Sequence, residues 1–226
     1  MRRLIALLVL ALTASLAFAD AKTDSSKRLE SAGWVLKEIM AVPDKGIPKE
    51  VLDGAKCLIV VPNMKKGGLG IGGKHGRGVA TCKTAKGWSA PAFISIGGGS
   101  VGLQIGFSTV DLVLVFMSDK AMQSLLTNKF EIGGDASAAA GPTGRHAHAG
   151  TDWKAETGIL TYSRAKGAFA GVSLEGAKIQ QDDDSTVAIY GKMIDQKETL
   201  GGATPAPAVA EPFLKAVADA VASAGK

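Results

Sequence analysis

Residues 57–117 read CLIVVPNMKKGGLGIGGKHGRGVATCKTAKGWSAPAFISIGGGSVGLQIGFSTVDLVLVFM. The β-branched run Cys57–Val61 ends at Pro62 and Asn63, as a strand ends at a turn. Leu69–Gly73 and Gly78–Cys82 follow as short strand candidates separated by glycine turns, and Trp88–Ile96 is another, closed by Gly97, Gly98 and Gly99. Val101–Phe107 and Val110–Met117 complete the series; the latter is nearly all apolar after Asp111, which suits the centre of a sheet. The 29 glycines cluster at turns and within apolar runs and keep no fixed period.

Outside this stretch, helical signals are few. Leu29, Ala32, Leu36, Ile39 and Met40 recur at helical spacing, predicting a helix over residues 24–41 that Pro43 stops. Lys49–Gly54 fits one further turn. Ser118 is a candidate N-cap for a central helix over Asp119–Phe130. Ile132–Ala140 reads as a strand and Gly141–Gly150 as a loop. Ile159–Ser163 and Ala168–Leu174 read as a hairpin around Ala165, Lys166 and Gly167. Asp182, Asp183 and Asp184 sit where acids favour the start of a short helix ending at Tyr190. Residues 201–210 read as an Ala/Pro linker, and Phe213–Val221 as a last helix. Many strands with few helices give an α+β fold: a glycine-rich, mostly antiparallel β core with an N-terminal amphipathic helix, a central helix and a C-terminal helix.

The first nineteen residues have the three parts of a secretory signal peptide. Arg2 and Arg3 precede the apolar run Leu4–Leu12, and Ala17-Phe18-Ala19 places small residues at the two recognition positions. The run is short for a membrane span, which takes roughly 20 residues. Cleavage after Ala19 is expected, giving a periplasmic or secreted protein with one main domain over 20–201 and a linker with C-terminal helix over 202–226. Loss of Arg2 and Arg3 lowers the formal charge from +5 to +3, too mild an excess to argue for nucleic acid. Cys57 and Cys82 are the two cysteines. If residues 57–82 form a long hairpin centred near Leu69 and Gly70, the two would face each other and could form a disulfide in an oxidising compartment; two buried free thiols are the alternative.

Several motifs carry little once their context is read. Gly68–Gly73 matches GxGxxG, but Lys74–Gly78 cannot open the helix a dinucleotide site requires. Gly98–Gly102 matches GxSxG, so a serine esterase built on Ser100 with Asp135 and His146 is the alternative activity; its nucleophile elbow needs a strand turning sharply into a helix, whereas Leu103–Phe107 is β-like. His146, His148, Asp152 and His75 lack defined metal-ligand spacing. No catalytic residue, metal or cofactor is implied.

Trp34 lies off the apolar stripe of the first helix, on the side carrying Lys27 and Lys37. A tryptophan beside lysines suits a membrane–water interface; cover by the C-terminal helix is the other reading. Lys65, Lys66, Lys74, His75 and Arg77 form a second basic cluster in residues 57–82.

The runs Gly72–Gly78, Gly87–Phe93 and Gly98–Gly106, with Asp111–Met117, Gly134–Ser137 through Gly141-Pro142, and Phe169–Gly176, resemble the SYLF-domain family over about residues 25–201. The resemblance implies lipid binding: eukaryotic relatives are described as binding phosphoinositide-containing membranes, partly through an amphipathic N-terminal helix, and fungal ones as binding actin. No Src-homology-3 pattern is read in these residues, so the cytoskeletal partnerships are not expected here. The expectation is a non-enzymatic envelope protein docking on an anionic phospholipid membrane surface through Lys27, Arg28, Trp34, Lys37, Lys65, Lys66, Lys74 and Arg77.

Overall fold

A computed structural model describes the backbone of residues 2–42, 46–127, 129–143, 158–165, 168–169 and 173–223, and the side chains within those ranges except 2–19, 69–71, 100–106 and 168–169. The fold is α+β. Helix α1 (Arg2–Met40) leads, followed by α2 (Lys49–Gly54). Strand β1 (Cys57–Thr84), β2 (Gly87–Trp88) and β3 (Ala92–Phe116) come next, then α3 (Asp119–Leu125), β4 (Lys129–Glu131), β5 (Ala138–Ala140), β6 (Ile159–Ala165), β7 (Ala168–Phe169) and β8 (Lys178–Gln181). Helices α4 (Asp183–Tyr190) and α5 (Gln196–Leu200), a 3-10 turn (Ala208–Ala210) and α6 (Glu211–Ser223) complete the described chain.

The expected hairpin within residues 57–82 is not formed. β1 is one strand of 28 residues, and its hydrogen-bonded partner is β3, antiparallel from Cys57↔Phe116 to Ala80↔Ala92. The short strands expected at Leu69–Gly73, Gly78–Cys82 and Val101–Phe107 are segments of these two long strands, and the break falls instead at Ser89–Pro91. The two-stranded ribbon then doubles over on itself. A Cβ at Gly78 would lie 2.5 Å from the Val60 carbonyl oxygen, and one at Gly76 would lie 2.6 Å from Val61 Cγ1. The Lys83 amide donates to the Lys56 carbonyl at 2.8 Å. These contacts nest around a point near residue 69, where the register shifts between Leu69 and Ile71. Glycine is required at 78, where the two arms of β1 meet backbone to backbone without sharing a ladder, and at 76, where the Val61 and Met64 side chains fill the space of a Cβ. Cys57 and Cys82 are brought together by this doubling and are joined by a disulfide.

The doubled ribbon has two apolar sides. One, lined by Ile59, Val61, Met64, Ile94, Leu112, Leu114 and Phe116, is closed by α3, β4 and α5. The other, with Leu58, Val60, Val79, Phe93, Val113 and Val115, is covered by α1, α2 and α6. β6 pairs with β3 over Asp111–Phe116, β8 with β3 over Ile94–Gly97, and β5 runs parallel to β6. The hairpin expected around residues 165–167 is present as Arg164↔Phe169 and Ala165↔Ala168.

Local signals set the ends of the short helices. The Ser118 hydroxyl accepts from the Ala121 amide at 3.1 Å and caps α3, but α3 ends at Leu125, and Phe130 belongs to β4 rather than to the helix. The Asp182 carboxylate accepts from the Ser185 amide at 3.2 Å at the start of α4, and Gly191, with φ of 73°, closes that helix in the left-handed region. Residues 202–210 lie along the body, with Thr204 and Ala210 buried. α6 buries Phe213, Ala216, Val217 and Ala220. It crosses α1 at Gly33, where an added Cβ would stand 3.2 Å from the Pro212 carbonyl oxygen.

Candidate functional site

α1 buries Leu29, Ala32, Val35, Leu36 and Ile39. The same winding that turns these inward leaves Asp24, Lys27, Glu30, Trp34 and Lys37 exposed along the opposite stripe. On the ribbon, a bulge between Val61 and Met64 centres on Asn63, held at φ 52°. Its amide donates to Asp111 Oδ1 at 3.0 Å. The bulge resets the strand alternation so that Met64 turns inward and Lys65 outward. In the returning arm of β1, His75 and Arg77 also face outward while Lys74, Gly76 and Gly78 face in.

Helix stripe and ribbon face enclose an open cleft of about 320 Å³. Lys27, Arg28 and Ser31 line it from α1, and Asn63, Lys65, His75 and Arg77 from β1, with Asp24 at its edge. At its base is a buried ion pair: Arg28 Nη1 lies 2.9 Å from Asp182 Oδ2, and both side chains are almost wholly removed from water. Arg28 also donates to the Ser185 hydroxyl at 3.0 Å and to Asp24 at 2.8 Å. Burial alone would push the Asp182 carboxyl up. The hydroxyl and amide of Ser185, with the guanidinium groups of Arg28 and Arg77, outweigh it and hold that carboxyl below its ordinary value. Arg77 is half exposed and reaches Asp182 at 3.5 Å and Asp24 at 3.8 Å. The cleft therefore carries more cationic than anionic side chains. Its most exposed acid, Asp24, already bridges the two arginines in the position an external anion would take.

Trp34 belongs to the same surface. It is 54% exposed, so α6 does not cover it. The Arg164 guanidinium stands 5.1 Å from the ring centroid, a cation–π contact that fixes one face of the indole and leaves the rest in solvent. Arg164 is itself held by Glu38 at 2.8 Å and Asp111 at 3.5 Å. Asp111 in turn holds Asn63 on the cleft wall, which ties the tryptophan patch to the cleft through contacting residues.

The sequence-derived site residues divide. Lys27, Lys65 and Arg77, far apart in the chain, meet at the cleft. Trp34 and Lys37 lie on the adjoining helix stripe. Arg28 and Lys74 do not project to solvent. Arg28 is committed to Asp182, and Lys74 is buried with its ammonium donating to the Ser173 and Glu175 carbonyls at 3.1 and 3.0 Å. Desolvation, then repulsion from Lys66, lowers the Lys74 pKa against a smaller pull from Glu175. Both are cations held inside the framework of the fold. Lys66 is half-buried, on the side of the ribbon facing Lys74. Asp182 was legible as a helix cap, but not as the partner of a residue 154 positions earlier.

The competing motifs also receive a place. Gly68–Gly73 and Gly98–Gly102 lie inside β1 and β3, paired with each other at Gly72↔Ser100 and Gly73↔Gly99. Neither opens a helix, so neither the dinucleotide turn nor the nucleophile elbow is built. The Asp135 carboxylate accepts from the Glu131 amide at 2.8 Å and closes a turn. His146, His148 and Asp152 fall outside the described residues. Among the described residues there is no cluster of metal-ligating side chains.

Residues 97–220 match the Ysc84 family model, described as "Las17-binding protein actin regulator". An SH3 domain-containing protein of Schizosaccharomyces pombe is 38% identical over 175 residues, 75% of this chain and 40% of that protein. Protein YSC84 of Saccharomyces cerevisiae is 35% identical, over 76% of this chain and 37% of its own. The human SH3 domain-containing YSC84-like protein 1 is 32% identical, over 80% and 55%. This chain thus spans between about a third and just over half of the length of these relatives.

Proposed function

The chain belongs to the Ysc84 (SYLF) family, and from that premise we propose that it is a non-enzymatic binding protein of the cell envelope that docks on anionic phospholipid surfaces. Export under the signal sequence 1–19 is part of the same proposal. The family description speaks of Las17 binding and actin regulation, and a Saccharomyces cerevisiae relative is named LAS seventeen-binding protein 3; those partners belong to those proteins. What transfers is a binding module, and the surface of this chain favours a negatively charged bilayer.

The observation that carries the reading is the convergence of Lys27, Lys65, His75 and Arg77 on one open cleft beside the exposed indole of Trp34. Each lysine or arginine near an anionic membrane contributes about 1 kcal/mol, and that contribution fades within a Debye length. Lys27, Lys65 and Arg77 together supply about 3 kcal/mol. Trp34 adds interfacial affinity at headgroup level, with Arg164 already holding its ring. Binding on this basis is modest, reversible and salt-sensitive. Reversing charge at Lys27 and Lys65 tests it. The double variant K27E/K65E should lose recovery in flotation with vesicles of equal phosphatidylcholine and phosphatidylglycerol while keeping its thermal unfolding midpoint. Unchanged flotation of the folded variant would refute the role of the cleft.

A further inference from the structure

Phe107 is 94% exposed, the most exposed of the large apolar side chains among the described residues. Its ring is not adrift. Its cross-strand partner is Gly67, and a Cβ there would lie 2.3 Å from the ring's Cδ1. The ring is seated on the bare Gly67 backbone, with its outer face open. The pair is close to the point near residue 69 where the ribbon doubles over, so Phe107 stands at the fold-over end of the sheet. Beside it, Lys65 pairs with Thr109 and Lys66 with Ser108. By strand alternation and cross-strand register, Phe107 shares a sheet face with Lys65, and Lys65 lines the basic cleft.

A single exposed phenylalanine is unremarkable by itself. Here it sits at the fold-over end, on a glycine that lets the ring lie flat, beside Lys65 and on the face that carries the cleft. We propose that Phe107 is the membrane anchor of the domain: its ring enters the boundary between headgroups and acyl chains of an anionic bilayer while Lys65, on the same face, meets the phosphates. This rests on the docking surface proposed above and adds the depth and orientation of binding: the fold-over end of the ribbon faces the membrane and Trp34 lies at headgroup level.

The test places an environment-sensitive fluorophore on Phe107→Cys in the disulfide-bonded protein, with vesicles of equal phosphatidylcholine and phosphatidylglycerol, and measures flotation of Phe107→Ala and Phe107→Trp in parallel. Insertion predicts a blue-shifted, brighter probe on those vesicles, about 10- to 100-fold weaker binding for F107A, and near-normal binding for F107W. Wild-type binding with an unshifted probe and an unweakened F107A would overturn the anchor and leave the cleft reading standing. Failure of the wild type to bind would overturn both. A probe shift that grows with protein concentration without vesicles would show a second copy covering the ring, and would also overturn the anchor.

Discussion

Reducing the Cys57–Cys82 bond should lower the thermal unfolding midpoint by about 7–14 °C while leaving the folded state unchanged. The two cysteines are 25 residues apart in sequence. For a loop of that length, chain entropy gives a stabilisation of about 3.5 kcal/mol. A domain of this size shifts by roughly 2–4 °C per kcal/mol, which gives the range stated. The effect acts on the unfolded chain. In the folded chain the ends of β1 are held independently by the Lys83–Lys56 hydrogen bond and the seating of Gly78 on Val60. Reduced protein should therefore keep its far- and near-ultraviolet circular dichroism at 25 °C and differ only on heating. Calorimetry with and without reductant, and on the Cys57→Ser variant, measures this. An unchanged midpoint would refute the loop-closure reasoning. Loss of near-ultraviolet signal on reduction at 25 °C would show that the bond, and not the glycine-packed arms, holds the ribbon folded.

Two further outcomes follow from the same contacts. Gly78→Ala forces a Cβ to 2.5 Å from the Val60 carbonyl oxygen and should cost about 1–3 kcal/mol in denaturant unfolding, as overpacked sites do; a neutral effect would contradict the close approach of the two arms. Asp182→Asn leaves Arg28 buried with Asp24 as its remaining acid and should cost about 3 kcal/mol at neutral pH, at the lower end for a broken buried pair. Because the folded-state pKa of Asp182 is depressed, its stabilisation is complete above the ordinary carboxylate pKa and is lost as pH falls through the lower folded value. The wild-type advantage over D182N should therefore shrink in acid, and an advantage that grew on acidification would exclude the pairing.

How far the sequence could be read depended on the range of the forces involved. Helix periodicity and caps are local, so α1's inward face, α2, the Ser118 cap and the Asp182-capped helix were all legible. The α+β class followed from strand-type runs punctuated by glycine. What failed was pairing. The glycines around Leu69 and Gly70 and at Gly97–Gly99 read as breaks between short strands, because glycine usually interrupts them. Here those glycines pair with one another and with their neighbours across β1 and β3, and others such as Gly76 and Gly78 let the ribbon double over. The disulfide was anticipated, but for the wrong geometry: the cysteines are the ends of one folded strand, not hydrogen-bonded partners.

The site was legible in part for the same reason. Lys27, Trp34 and Lys37 share a helix stripe that periodicity reveals. That Lys65 and Arg77 meet Lys27 depends on the doubling of the ribbon, which composition does not encode. Arg28 and Lys74 look like surface cations in sequence. Their burial follows from partners 154 and about 100 residues away. Phe107 looked like one more strand residue until its register with Gly67 was known.

Partition of the protein between water and vesicles, followed at low and high salt by the emission of Trp34 in a variant whose Trp88 and Trp153 are replaced by phenylalanine, addresses the docking surface most directly. The account predicts a blue shift on phosphatidylglycerol-containing vesicles, none on pure phosphatidylcholine, and reversal by salt. Equal partition into both lipids irrespective of salt, or none into either, would contradict it.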